Sequence, residues 1–121
     1  PSELVFTLDK LYLLKKDGSA ITLDVIVGNK QSPLLDVKLN SKVLLLDHDK
    51  SVKNLEIGID TNLSKKILSI VGIVSDTADD SDKIQVTIRV KGGLNEINKK
   101  FFVTVEEQGE QVDIDFNIRF K

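Results

Sequence analysis

The chain has 121 residues, and its 17 Lys+Arg against 19 Asp+Glu give a formal net charge of −2; that length fits one domain spanning residues 1–121. Hydrophobic residues at 40% and charged residues at 30% make a globular composition rather than a disordered one. Wholly apolar runs reach no more than four residues, as in Val43 to Leu46, far short of the roughly 20 that a spanning helix needs, so membrane insertion is not expected. With no cysteine there is no disulfide or thiol chemistry, and the Lys pairs at 15–16, 65–66 and 99–100 are too scattered for the one-sided basic footprint of a nucleic-acid binder.

Two-residue alternation dominates the chain and predicts strands, because only a period of 2 sends every apolar side chain of a segment to one face. Leu4, Phe6 and Leu8 alternate first, followed by Leu11 to Leu14 and the dipeptide Asp17-Gly18, which is the strongest hairpin signal present. Ile21, Leu23, Val25 and Val27 form the next set, ended by Gly28-Asn29. Leu35, Val37 and Leu39 follow Pro33, which suits the start of a strand or a sheet edge because proline has no N–H to give to a ladder. Asn40-Ser41 then turns the chain into Val43 to Leu46. Leu55, Ile57 and Ile59 alternate around Gly58, a sign of a bulge or close backbone packing.

Leu63, Ile67, Ile70, Val71 and Val74 stand at helical spacing. Their β-branching and the interruption at Gly72 favour a turn near residues 61–66 and then a strand from Ile67 to Val74. Ile84, Val86, Ile88 and Val90 alternate with polar residues. Phe101, Val103 and Val105 lead through Gln108-Gly109-Glu110 into a last strand, suggesting a second hairpin. That last strand carries Val112, Ile114, Phe116, Ile118 and Phe120 on one side and Asp113, Asp115, Asn117 and Arg119 on the other.

Eight or nine one-faced strands without alternating helices predict an all-β, antiparallel two-sheet sandwich, immunoglobulin-like or jelly-roll-like, with a small closed barrel as the alternative. Aromatic residues are only 5% of the chain, so Leu, Ile and Val must fill the core.

The densest acidic segment offers Asp76, Asp79, Asp80 and Asp82 as candidate metal ligands, since calcium collects carboxylate and carbonyl oxygens from strand-connecting loops. The EF-hand spacing is missing, and a solvated turn competes with this reading. His48 stands alone between Asp47 and Asp49 and reads as a surface histidine. Lys91-Gly92-Gly93 lacks the spacing of a phosphate loop and reads as a flexible strand exit, while Tyr12 reads as a half-buried strand residue rather than a sugar platform. Glu106-Glu107 does not place two carboxylates across a cleft as a glycosidase requires.

No cofactor and no catalytic set is expected. The functional expectation is a non-enzymatic protein-interaction or structural module of a surface, secreted or assembly protein, with a protein partner or self-association. A carbohydrate- or calcium-binding module is the alternative and a hydrolase the third. Localisation leans to secreted or cell-surface over cytoplasmic. The Leu4–Leu8 run, if it lies on a sheet edge, would offer unpaired backbone to an added strand.

Overall fold

The computed structural model describes residues 4–121, so the first three residues of the expected domain lie outside the described residues. Nine strands are present among them: β1 (Leu4–Tyr12), β2 (Ala20–Val27), β3 (Ser32–Leu39), β4 (Lys42–His48), β5 (Val52–Ile59), β6 (Ile67–Ser75), β7 (Lys83–Lys91), β8 (Ile97–Thr104) and β9 (Gln111–Phe120). They form two open sheets, ordered β1-β9-β6-β3-β4 and β5-β2-β7-β8. The fold is the expected two-sheet sandwich; the alternative of a closed barrel is not what forms.

The core follows from the alternation. The inner row of β9, Val112 to Phe120, is buried at every second residue, and so are Leu68, Ile70 and Val74 of β6 beside it. Opposite them lie Ile21, Leu23 and Val25 of β2 and Ile84, Val86, Ile88 and Val90 of β7. Three phenylalanines close one side, with Phe101 stacked between Phe6 and Phe116 at centroid distances of 5.4 and 5.1 Å. The strand reading from Ile67 to Val74 holds, with β6 running on to Ser75, and a short 3-10 segment, Asp60–Asn62, precedes it. Pro33 is the second residue of β3, which lies between β6 and β4 rather than at an edge.

Two hairpin expectations are corrected. Asp17-Gly18 connects β1 of the larger sheet to β2 of the smaller, and Gln108-Gly109 connects β8 to β9, again from one sheet to the other. The first crossover is held by Asp60, which is wholly buried and accepts the N–H groups of Lys16 and Asp17 through Oδ2 (2.9 and 3.3 Å) and of Gly18 through Oδ1 (2.9 Å). A loop whose amides converge on a distant carboxylate turns away from the two-residue hairpin geometry, whatever its own dipeptide favours. The second departure is that β1 runs parallel to β9, Leu4 opposite Val112 through Tyr12 opposite Phe120.

Two edges carry matching irregularities. In β4 the backbone of Asp47 is left-handed (φ 49°) and its N–H is taken by Asp36 of β3; in β5, Asn54 is left-handed (φ 51°) and its N–H is taken by Asp24 of β2. Both strands shift register against their neighbours nearby, which breaks the straight row of donors and acceptors an added strand would use.

The packing makes a direct forecast. Ile114→Ala or Phe116→Ala, in chemical denaturation, is expected to cost about 2–5 kcal/mol, against at most about 0.5 kcal/mol for Val71→Ala on the outer face. Asp60→Asn keeps the shape but replaces one acceptor oxygen with an amide that cannot accept, and is expected to cost about 1–3 kcal/mol by the same measurement.

Candidate functional site

The acidic loop is built on one glutamine. Gln31 is buried, and its Nε2 donates to Asp76 Oδ1 (2.9 Å) and to the carbonyls of Ser81 and Lys83, while its Oε1 accepts the N–H groups of Thr77 and Ala78. Asp76 is fully buried beneath the loop, and its Oδ2 has no hydrogen-bond partner among the described residues. The other candidates diverge: Asp79 accepts from Gln108 Nε2 (3.1 Å), Asp80 faces Lys30 at 3.9 Å, and Asp82 is exposed, its carbonyl accepting from Val105 N. Among the described residues no three His, Asp or Glu side chains gather where they could hold a metal ion. Nothing in the sequence marked Gln31 as the centre of this loop; a lone amide between a turn and Ser32-Pro33 carries no periodic signal.

His48 ends β4, half-buried, with Nε2 3.3 Å from the Ser51 carbonyl, while Asp47 and Asp49 on either side are exposed. Glu106 and Glu107 lie in the exposed connection before β9, where Glu106 N donates to Glu110.

Tyr12 and the paired glycines form one unit, against the expectation for both. Tyr12 is fully buried; its hydroxyl donates to the Val90 carbonyl (3.1 Å) and accepts the Gly93 N–H (2.9 Å). A Cβ on Gly93 would stand 2.6 Å from the Tyr12 ring, and one on Gly92 (φ 106°) 2.2 Å from the Ala20 carbonyl oxygen. The glycines therefore admit the tyrosine and the crossing backbone, a close approach rather than a flexible exit.

That unit closes one end of a groove of about 320 Å³ between the edge strands β1 and β8, lined by Leu8, Lys10, Glu96, Ile97, Asn98 and Lys99. Leu94 N donates to the Leu13 carbonyl at the same end, and the Phe6–Phe101 stack also joins the two edges. Lys10 and Lys99 occupy inner-row positions, in step with Leu8 and Tyr12 on β1 and with Ile97 and Phe101 on β8. β1 is thus an edge strand, as the Leu4–Leu8 reading required, but both edges of this seam carry a lysine where a core residue would otherwise sit. Inward charges of this kind discourage strand addition.

The outer faces differ in character. On the five-stranded sheet, outward residues form cross-strand rows: Leu34, Ile73, Asp113 and Val5 in one, and Asp36, Val71, Asp115 and Thr7 in the next. Val5, Leu34 and Val71 are each more than two-fifths exposed, as are Ile67 and Leu11 further along. The outward charges of β1, β9, β6 and β3 are Asp9, Asp36, Asp113 and Asp115 against Lys38 and Arg119, and Arg119 is already paired with Asp9 at 3.3 Å. On the four-stranded sheet, β2, β7 and β8 turn Lys83, Arg89, Lys91 and Lys100 outward against Asp24, which faces Lys91 at 3.8 Å. Phe102 stands on this second face, 62% exposed, under Lys83 Nζ at 4.6 Å from the ring centroid. Thr87 shares that outward row but is nearly covered, lying between Ile26 and Lys100.

Comparison with known proteins finds no matching family model, curated relative or solved structure.

Burial pushes the Tyr12 phenol above its ordinary range, the Gly93 amide opposing the shift and the Glu96 charge adding to it. An unfolded chain then ionises first as pH rises, so this contribution to stability is intact below about pH 10 and is lost as pH climbs through the folded value. Tyr12 is the only tyrosine, so the phenolate absorbance of the native protein is expected to titrate above that of the denatured chain. Tyr12→Phe is expected to remove this alkaline limb and to lower the melting temperature, since it leaves the Val90 carbonyl and the Gly93 amide without their partner.

Proposed function

We propose that the chain is a non-enzymatic interaction or structural module, and that it meets its partner on the outer face of the five-stranded sheet. The observation that carries this reading is the clustering there of apolar side chains: exposed Leu34 is directly opposite half-buried Ile73, and exposed Val71 is the next outward residue on β6. Single exposed apolar residues are ordinary, whereas a contiguous group on a sheet face marks a contact surface. A packed sheet presents such a group with its backbone already ordered, which lowers the conformational cost of docking. The bulged edges β4 and β5 and the inward lysines of the β1–β8 seam direct association toward faces rather than edges.

The reading is tested with a photo-crosslinking residue in place of Val71, in the cells that make the protein, with the same residue at Lys50 in the β4–β5 connection as the control. Covalent adducts to a macromolecule from position 71 in excess of those from position 50 are expected. Equal or no adducts from the two positions would overturn the choice of face.

A further inference from the structure

We infer that the partner for the acidic, apolar face is the basic face of a second copy of the chain, so that the protein stacks head to tail. This rests on the reading of the five-stranded face as a docking surface and names its occupant.

Charge carries the choice. Asp113 and Asp115 occupy adjacent outward positions on β9 with no ion-pair partner among the described residues, and the apolar residues of β6 and β1 flank them on both sides. The opposite face of the same molecule supplies the complement. Lys100 and Arg89 have no carboxylate within ion-pair distance among the described residues, and the Arg89 Nε is buried without an acceptor. Phe102, exposed at the margin of the basic face, gives the apolar counterpart to Leu34, Ile73 and Val71.

Geometry fits as well. Adjacent strands lie about 4.8 Å apart and residues rise about 3.3 Å, so each outer face measures roughly 20 by 25 Å. Two such faces in contact hide about 1,000 Å², the lower limit for a specific interface. The association is therefore weak and strongly dependent on salt. Because the two faces are different surfaces on opposite sides of the sandwich, the contact is heterologous. It does not close on a dimer and propagates as a linear series unless the rotation between copies makes a ring.

The experiment is sedimentation velocity on the full chain across protein concentration, at about 20 mM and about 500 mM salt. Species beyond the dimer are expected at low salt, and their loss is expected at high salt. Asp113→Lys with Asp115→Lys reverses one face, and Lys83→Glu with Lys100→Glu reverses the other; all four side chains point outward, and circular dichroism confirms each fold. Each variant alone is expected to lose association by at least tenfold, and an equimolar mixture of the two is expected to recover it, because each then meets a complementary face. Should a reversed chain fail to fold, Asp113→Asn with Asp115→Asn tests the same face, with a weakening of several-fold expected. A monomer at every concentration in low salt would overturn the stacking, as would association that both reversals leave unchanged. Crosslinks from position 71 to a different protein, with the purified chain monomeric, would overturn the self-stacking and leave the docking face in place.

Discussion

The larger sheet depends on β9 having a strand on each side. It lies between β6, which it meets antiparallel, and β1, which it meets parallel, and its inner row of Val112, Ile114, Phe116, Ile118 and Phe120 reaches into the core along its whole length. Every other layer of the molecule is placed by reference to this strand. Phe101 of the smaller sheet stacks on Phe116, and Tyr12, paired with Phe120, sets the end of the seam between the sheets. Because the first and last strands of the chain must find each other, the contact that completes the larger sheet spans almost the entire sequence. Such long-range closure is slow compared with hairpin formation.

Buried polar groups do the rest of the positioning, and they do it at a distance. Asp60 fixes the β1–β2 crossover from more than 40 residues away in sequence, and Gln31 fixes the acidic loop before β7 in the same manner. Both side chains are buried, so leaving any of their polar atoms without a partner would carry a desolvation cost. The acidic loop is consequently a structured cap on the Gln31 amide, with Asp76 beneath it and the remaining carboxylates turned to separate neighbours. The charges that define the two outer faces belong instead to the strands, where the pleat fixes their direction.

The strands, their inner rows and the two-sheet class were legible in the sequence because period-2 alternation is a local property of five to ten residues. The last strand shows the case most clearly: all five predicted inward residues are buried. What could not be read is which strand lies beside which. Asp17-Gly18 is a good hairpin dipeptide, yet the acceptor that decides its course is Asp60, and no local pattern links the two. Tyr12 and the Gly92-Gly93 pair were each visible, but their fit is a contact over 80 residues. The two faces were legible only in part: alternation told which residues point outward, whereas the separation of acidic from basic faces required the division of strands between sheets.

The parallel pairing of β1 with β9 has a mechanical consequence. Leu4 lies beside Val112 at one end of the pair, and Tyr12 beside Phe120 at the other, with Lys121 N donating to the Tyr12 carbonyl just beyond. The two ends of the described chain therefore leave from opposite poles of the sandwich, roughly 25 Å apart along the strands. Tension applied between Leu4 and Phe120 acts along the strands, so the evenly spaced bonds of the parallel ladder share the load together. An antiparallel pairing of the same two strands would let the bonds open one after another from a single end. Pulled from its ends, this sandwich resists as a shear clamp, and the ladder that completes its larger sheet is also the part that must fail before it extends.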